Sequence, residues 1–255
     1  MAKVISLINQ KGGVGKTAST NAIATCLKHM GYSVLCVDFD PQGYLSFSMN
    51  ADTRDHSTIY DVIKHNVKPR YAIQKTNVVD IIPADAILGN VEREFSGPGG
   101  EHILKDCLKT ILPLYDYVLI DSPPELGLLS SNVIISSDVT LIPGLSDGYS
   151  LHGVIQVHET ISRIKKAFNP SLVIGGMFLV RYYPREALSN TTRETAQMLA
   201  DHLNIPLLDT VIRHSNVISK AMTTLQKDII DYAPNNNAVR DYMSLVKELF
   251  ERRLI

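Results

Sequence analysis

Three short stretches carry the residue types that phosphate chemistry needs. The first is Lys11-Gly12-Gly13-Val14-Gly15-Lys16-Thr17. Its Gly-Lys-Thr end fits the phosphate-loop pattern GxxxxGK[ST], although the first position of that pattern falls on Gln10. Glycines there let backbone N–H groups turn inward around phosphate oxygens. Lys16 is placed to reach the β- and γ-phosphates, and the Thr17 hydroxyl to ligate Mg²⁺. The second stretch is Asp38-Phe-Asp40-Pro-Gln-Gly43, two carboxylates entering a turn. They are expected to have different roles. The third is Tyr117-Val-Leu-Ile-Asp121-Ser-Pro-Pro124, an apolar run ending in a carboxylate before a stiff turn. An acid in that place is a candidate Mg²⁺ partner.

These stretches need a scaffold that brings them to one edge. Residues 3–8 form a short β-branched run and predict a buried strand. A helix is expected from 17 to about 30, with Gly31 as its C-cap glycine, and a second strand at 33–37. Strand, turn, helix and strand in under forty residues make a βαβ unit. The alternation continues, with strands expected at 78–82, 117–120, 139–142, 173–180 and a short one near 207–212. Helical patterns fall at about 84–94, 101–112, 126–136, 151–168, 186–203, 215–226 and 237–253. The expectation is an α/β fold: a mostly parallel central sheet with helices on both faces, in one domain over 1–255. Open sheets of this kind bind ligands outside the carboxyl ends of their strands, where all three stretches would lie.

Composition narrows the functions. Apolar residues make up 45% of the 255, and charged residues 20%, which excludes wholesale disorder. With 25 basic against 26 acidic residues the net charge is −1, so any polyanion partner must meet a segregated basic face. Cys26, Cys36 and Cys107 form no CxxC pair and sit in apolar stretches. They read as buried free thiols of a reducing cytoplasm rather than metal ligands. The eight histidines show no HExxH or HxxxH spacing. No apolar run reaches the ~20 residues of a spanning helix, and the N-terminal run stops too early for a signal peptide. Residues 96–100, glycine-rich but without a following Gly-Lys, read as a surface turn.

Together the three stretches resemble the ParA family of partition ATPases, within the larger ParA/MinD group that shares the deviant KGGxGKT loop. The resemblance rests on residues 11–17, 38–43 and 120–124 followed by Leu126-Gly127, with later echoes at 210–212 and 229–232. It implies a P-loop ATPase using ATP and Mg²⁺. Gly12, Gly13, Val14, Gly15, Lys16, Thr17 and Ala18 would surround the phosphates. Lys11 would be the signature lysine, reaching across an ATP-sandwich homodimer to the partner's phosphates. Thr17, Asp40 and Asp121 would make up the Mg²⁺ site, Asp121 through water, and Asp40 would position the attacking water. Arg181 and Arg213 are the candidates for base-side contacts. Two positions depart from the family pattern: Ala18, where a second hydroxyl is usual, and Glu125, where a small residue is usual.

The resemblance also implies non-specific DNA binding by the ATP dimer and stimulation by a centromere-binding ParB-type protein. Basic candidates are Arg181, Arg185 and Arg193, then Arg213 and Lys220, then Arg240, Lys247, Arg252 and Arg253. Arg185 and Lys220 are carried forward as DNA contacts, because Glu248 and Glu251 interleave with the last group. The alternative is a MinD-like ATPase that cycles on a membrane. The final helical segment has an apolar face along its whole length and no separate basic tail, which predicts packing on the sheet instead. The chain begins almost directly with the first strand, so no N-terminal helix-turn-helix is expected. The expected location is cytoplasmic, on the nucleoid in the ATP state.

Overall fold

The computed structural model describes residues 2–145 and 148–255, and side chains other than those at 148–152, 187 and 190. Six parallel strands form one sheet in the order β3-β2-β4-β1-β5-β6. They are β1 (Lys3–Leu7), β2 (Val34–Asp38), β3 (Asp80–Ile82), β4 (Tyr117–Asp121), β5 (Val139–Leu145) and β6 (Val173–Val180). The expected parallel α/β architecture is thus observed, here without an antiparallel strand among the six.

Successive residues of a strand point to opposite faces. Val4, Leu35 and Val118 enter one apolar layer, and their neighbours Ile5, Cys36 and Leu119 enter the other. Both layers are covered, which is why the strands read as continuous apolar runs. One face is covered by helices that include Leu128–Ser136, Gly148–Phe168 and Ala187–Leu203. The other is covered by Lys16–His29 and Asn237–Glu251. The C-terminal helix buries Val239, Tyr242, Leu245, Val246 and Leu249 there, as its apolar face predicts. The three cysteines are buried and free, and burial pushes the Cys107 thiol up to about 11 and Cys26 to about 12.

Three departures have physical causes. The strand expected near 207–212 exists, among the described residues, only as isolated bridges, Met177 of β6 to Leu207 and Tyr182, just beyond β6, to Arg213. Between them the Asp209 and Thr210 N–H groups donate to the Glu248 carboxylate, at 2.7 and 2.9 Å, and are lost to a ladder. The helix expected at 215–226 divides into an α-turn, Asn216–Ser219, and a wider π-turn, Lys220–Leu225. The 84–94 helix is a 3₁₀ turn, Ala86–Asn90, followed by one α-turn, Val91–Glu94. Short helices such as Tyr44–Ser48 and Ile59–Ile63 span too few residues to show a period in sequence.

Candidate active site

The loop after β1 wraps back into the start of Lys16–His29. Gly13 and Gly15 hold φ of 73° and 80°, left-handed values that L side chains rarely adopt. The loop is braced by buried Asn9, whose Nδ2 donates to Pro143 O at 2.7 Å and whose Oδ1 accepts the Lys11 N–H at 3.0 Å. No side chain caps the helix that follows, and its first turn holds no acidic residue. Its N–H groups and the positive end of its dipole are left to whatever anion enters the loop.

Strand order brings the other two stretches alongside. β4 lies between β1 and β2, and Asp38 and Asp121 are direct register partners at the strand ends. Asp38 is fully buried and structural: its Oδ2 accepts the Ser46 N–H at 2.8 Å and the Ser46 hydroxyl at 2.7 Å. Asp40 lies past the strand end and lines the cavity, with Oδ1 accepting the Gln42 N–H at 2.9 Å. The two side chains are therefore placed apart, Asp38 in the interior and Asp40 on the cavity. Burial raises the carboxyl of Asp38 to about 6 and that of Asp40 in the same direction. Burial, then the Asp38 charge, pushes Asp121 up to about 8, against a hydrogen bond from Thr17.

Lys16 is 7% exposed amid these acids. Burial pulls its pKa down, and Asp121, Asp40 and Glu125 oppose that pull. Asp121 Oδ2 is buried without a hydrogen-bond partner among the described residues. An orphaned carboxylate oxygen beside a threonine hydroxyl, with Asp38 and Asp40 acting on it against the one cation Lys16, suits a hard divalent cation.

A cavity of about 520 Å³ opens from this point. Gly12, Gly13, Gly15, Lys16, Thr17 and Ala18 line one end. Val14 does not line it: its side chain is fully buried, so it can offer a ligand only its amide. Lys11 is half-buried and also absent from the lining. The other end is built from Arg181, residues 212–216, Ile218, Met222, Thr223 and Tyr242. Arg181 holds a left-handed φ of 53°, strain of the kind found at ligand clamps. Arg213 forks onto Asp241, Nε to Oδ2 at 2.9 Å and a terminal nitrogen to Oδ1 at 2.6 Å.

The wall residues Tyr44, Phe47, Ile218 and Met222 had no motif to announce them. Arg213 was the sequence signal on this side, and residues 212–216, 218 and 219 around it line the cavity. Arg185 and Lys220 are exposed. Arg252 is engaged with Asp209 and Glu248, and Arg240 with Asn235. Of the two carboxylates near His29, Asp228 is a helix cap already paired with Lys28 at 3.1 Å, and Asp231 lies 3.6 Å from the His29 ring nitrogen.

Comparison with known proteins follows the same lines. A family model described as an AAA domain matches residues 2–174. The chromosome partitioning protein ParA of Caulobacter vibrioides is 33% identical over 256 residues, 98% of this chain and 94% of its own. The chain belongs to the ParA/MinD family of P-loop ATPases. Within that family it is also similar to the sporulation initiation inhibitor protein Soj of Bacillus subtilis, 32% identical over 98% of both chains. Among solved structures, cobyrinic acid a,c-diamide synthase of Mycobacterium smegmatis with bound ATP analog and magnesium superposes with a TM-score of 0.86. It is 27% identical, over 99% of this chain and 96% of that one. A putative plasmid partition protein of Borrelia burgdorferi bound to AMPPNP shares the fold at a TM-score of 0.82 and 21% identity, over 99% and 100%. This ParA/MinD chain has, among its described residues, no helix long and apolar enough to cross a membrane.

Proposed function

We propose that this chain is a DNA-partition ATPase: it binds ATP and Mg²⁺, dimerises around the nucleotide, coats DNA without sequence preference, and hydrolyses ATP when a centromere-bound ParB-type partner engages it. The observation that carries this reading is the meeting of Lys16 and Asp40 beside an uncapped helix N-terminus at one end of a nucleotide-sized cavity, with Asp121 buried next to them. It is a single catalytic domain acting in the cytoplasm, on the nucleoid in its ATP state.

The chain's own groups divide the chemistry. The loop amides and Lys16 hold the β- and γ-phosphates and take up charge as the bond to the leaving phosphate lengthens. Thr17 and Asp121 would hold Mg²⁺, which supplies charge neutralisation on the phosphate oxygens when bound. Asp40 orients a water for in-line attack, and its raised pKa suits a group that shares that water's proton. Lys11, outside the cavity lining, suits a contact made across a dimer. The cavity's far wall receives the base, with Arg181 and Arg213 on its rim. Arg185 and Lys220 contact DNA phosphates, and doubling the chain doubles that patch, which lets a molecule of net charge −1 bind DNA in one state only.

Co-sedimentation with DNA and with liposomes, each with and without ATP, tests the reading. DNA binding that requires ATP and weakens steeply with salt is the expected result. Binding to liposomes alone would overturn it in favour of a membrane-cycling role.

A further inference from the structure

Between the loop carrying Asp40 and the loop that follows Asp121 one backbone hydrogen bond runs directly, from the Phe39 N–H to Asp121 O at 3.1 Å. Residues 84–92 touch both. On the first side, the Ala84 N–H donates to Ser46 Oγ at 2.9 Å, and that hydroxyl donates to Asp38 Oδ2. A methyl placed on Gly43 would sit 3.0 Å from Ala84 O, and one placed on Gly89 would sit 3.9 Å from the Pro41 ring. On the second side, Glu92 reaches the start of Leu128–Ser136. Its Oε2 accepts the Leu128 N–H and its Oε1 the Leu129 N–H, each at 3.0 Å. Gly127, the helix's own N-cap residue, has no side chain to do this, and a methyl there would lie 2.5 Å from Glu92 Oε1. Between the two contacts the segment is anchored by Leu88 and Val91, both fully buried, and by Asp85 Oδ1 accepting the Ile87 N–H at 3.1 Å.

We propose that residues 84–92 are a strap that holds the Asp40 loop and the 121–127 loop in one relative position, and that Glu92 is its latch, a positioning residue for turnover. The proposal rests on the ATPase reading. Asp40 and Pro124 line the cavity from loops that follow neighbouring strands, with Asp121 buried at the end of one of them. A short segment in contact with both loops, and pinned into the core by the buried side chains of Ala84, Leu88 and Val91, transmits a shift of one to the other, because packed interiors do not deform continuously. A carboxylate from another element, rather than a local Ser or Asp, caps Leu128–Ser136. That choice makes the cap a mechanical link between 84–92 and 121–127.

The test uses the full chain with Glu92→Ala, Glu92→Gln and the double variant Glu92→Ala with Gly127→Asp. Gly127 has φ −119° and ψ −154°, extended values that an N-cap aspartate adopts, so the double variant restores a cap without the strap. ATP turnover, nucleotide affinity, thermal melting and amide exchange are measured on each. Glu92→Ala is expected to lower kcat about tenfold or more while KM changes little, as small misplacement of reacting groups does. Exchange should quicken in 121–129 and also in 38–46. Glu92→Gln, which keeps one acceptor, should fall between wild type and alanine, and it serves if alanine fails to fold. The double variant should recover melting temperature but not kcat. Recovery of kcat with melting temperature, an unchanged kcat in Glu92→Ala, or faster exchange confined to 128–129 would each overturn the strap. If the wild type hydrolyses no ATP, the ATPase reading falls, and exchange at 38–46 in Glu92→Ala still decides the strap.

Discussion

The two ends of the cavity are built on different principles. The phosphate end is backbone and buried charge: left-handed glycines, an uncapped helix, and Lys16 among Asp121, Asp40 and Glu125. The base end is side chains from separate segments, each held by one or two contacts. Arg213 is tied to Asp241, the Gln226 amide donates to Phe47 O at 2.7 Å, and the Ser19 and Tyr242 hydroxyls meet at 2.8 Å. Removing any part of the first end leaves a buried charge or a broken turn. Removing part of the second leaves a slightly looser wall. Chemistry is thus concentrated where tolerance is lowest, and affinity is adjusted where tolerance is higher.

The strongest attempt to break this contrast is Lys16→Ala. It strips the cation from a buried cluster of acids and removes the group that meets the phosphates. Losing one partner from a buried ion cluster costs about 3–5 kcal/mol. ATP binding measured by calorimetry should disappear, and affinity within tenfold of wild type would refute the assignment. Asp40→Ala comes next. Turnover should fall about 10²- to 10³-fold, the range for a positioned proton-sharing group. Nucleotide affinity should hold or rise, because one carboxylate facing the phosphates is gone. Normal hydrolysis by this variant would remove Asp40 from the mechanism.

The same contrast explains what could be read from residues alone. The phosphate end is contiguous: a helix N-terminus, a glycine loop and two strand-end acids must lie close in sequence to a β-branched run. Residues 11–17, 38–43 and 117–124 therefore announced themselves, and the sheet with them. The base end has no such locality. Phe47, Met222 and Tyr242 meet only after three elements have folded together, and no period or spacing links them. The π-turn at Lys220–Leu225 was read as plain helix because apolar spacing does not distinguish i+4 from i+5 bonding over six residues. The bridges at 207 and 213 were read as a strand because nothing in 207–212 shows that Glu248 takes two of its N–H groups.

Smaller changes probe the tolerant end. Tyr242→Phe removes one buried hydroxyl partner of Ser19 and keeps the ring in the wall. Loss of about 1–2 kcal/mol of stability is expected, a fall in Tm of about 2–6 °C, with turnover near wild type. A kcat loss comparable to that of Asp40→Ala would show that this wall shares in the chemistry after all.

The smallest effect is expected from Asp241→Asn. Asp241 accepts the Arg213 backbone N–H at 3.0 Å as well as its guanidinium, so it sets both the path of residues 212–216 and the aim of that side chain. Asparagine keeps the shape and one acceptor oxygen but not the charge. The Arg213 side chain is about a third exposed, so water replaces much of what the pair supplied. Exposed pairs are typically worth under about 1 kcal/mol, which limits the loss of ATP affinity to about fivefold. Turnover at saturating ATP should not change, because nothing at the phosphate end touches Asp241. A variant that binds ATP normally but turns it over slowly would mean that the base wall sets the position of the phosphates, and the two ends would then have to be treated as one.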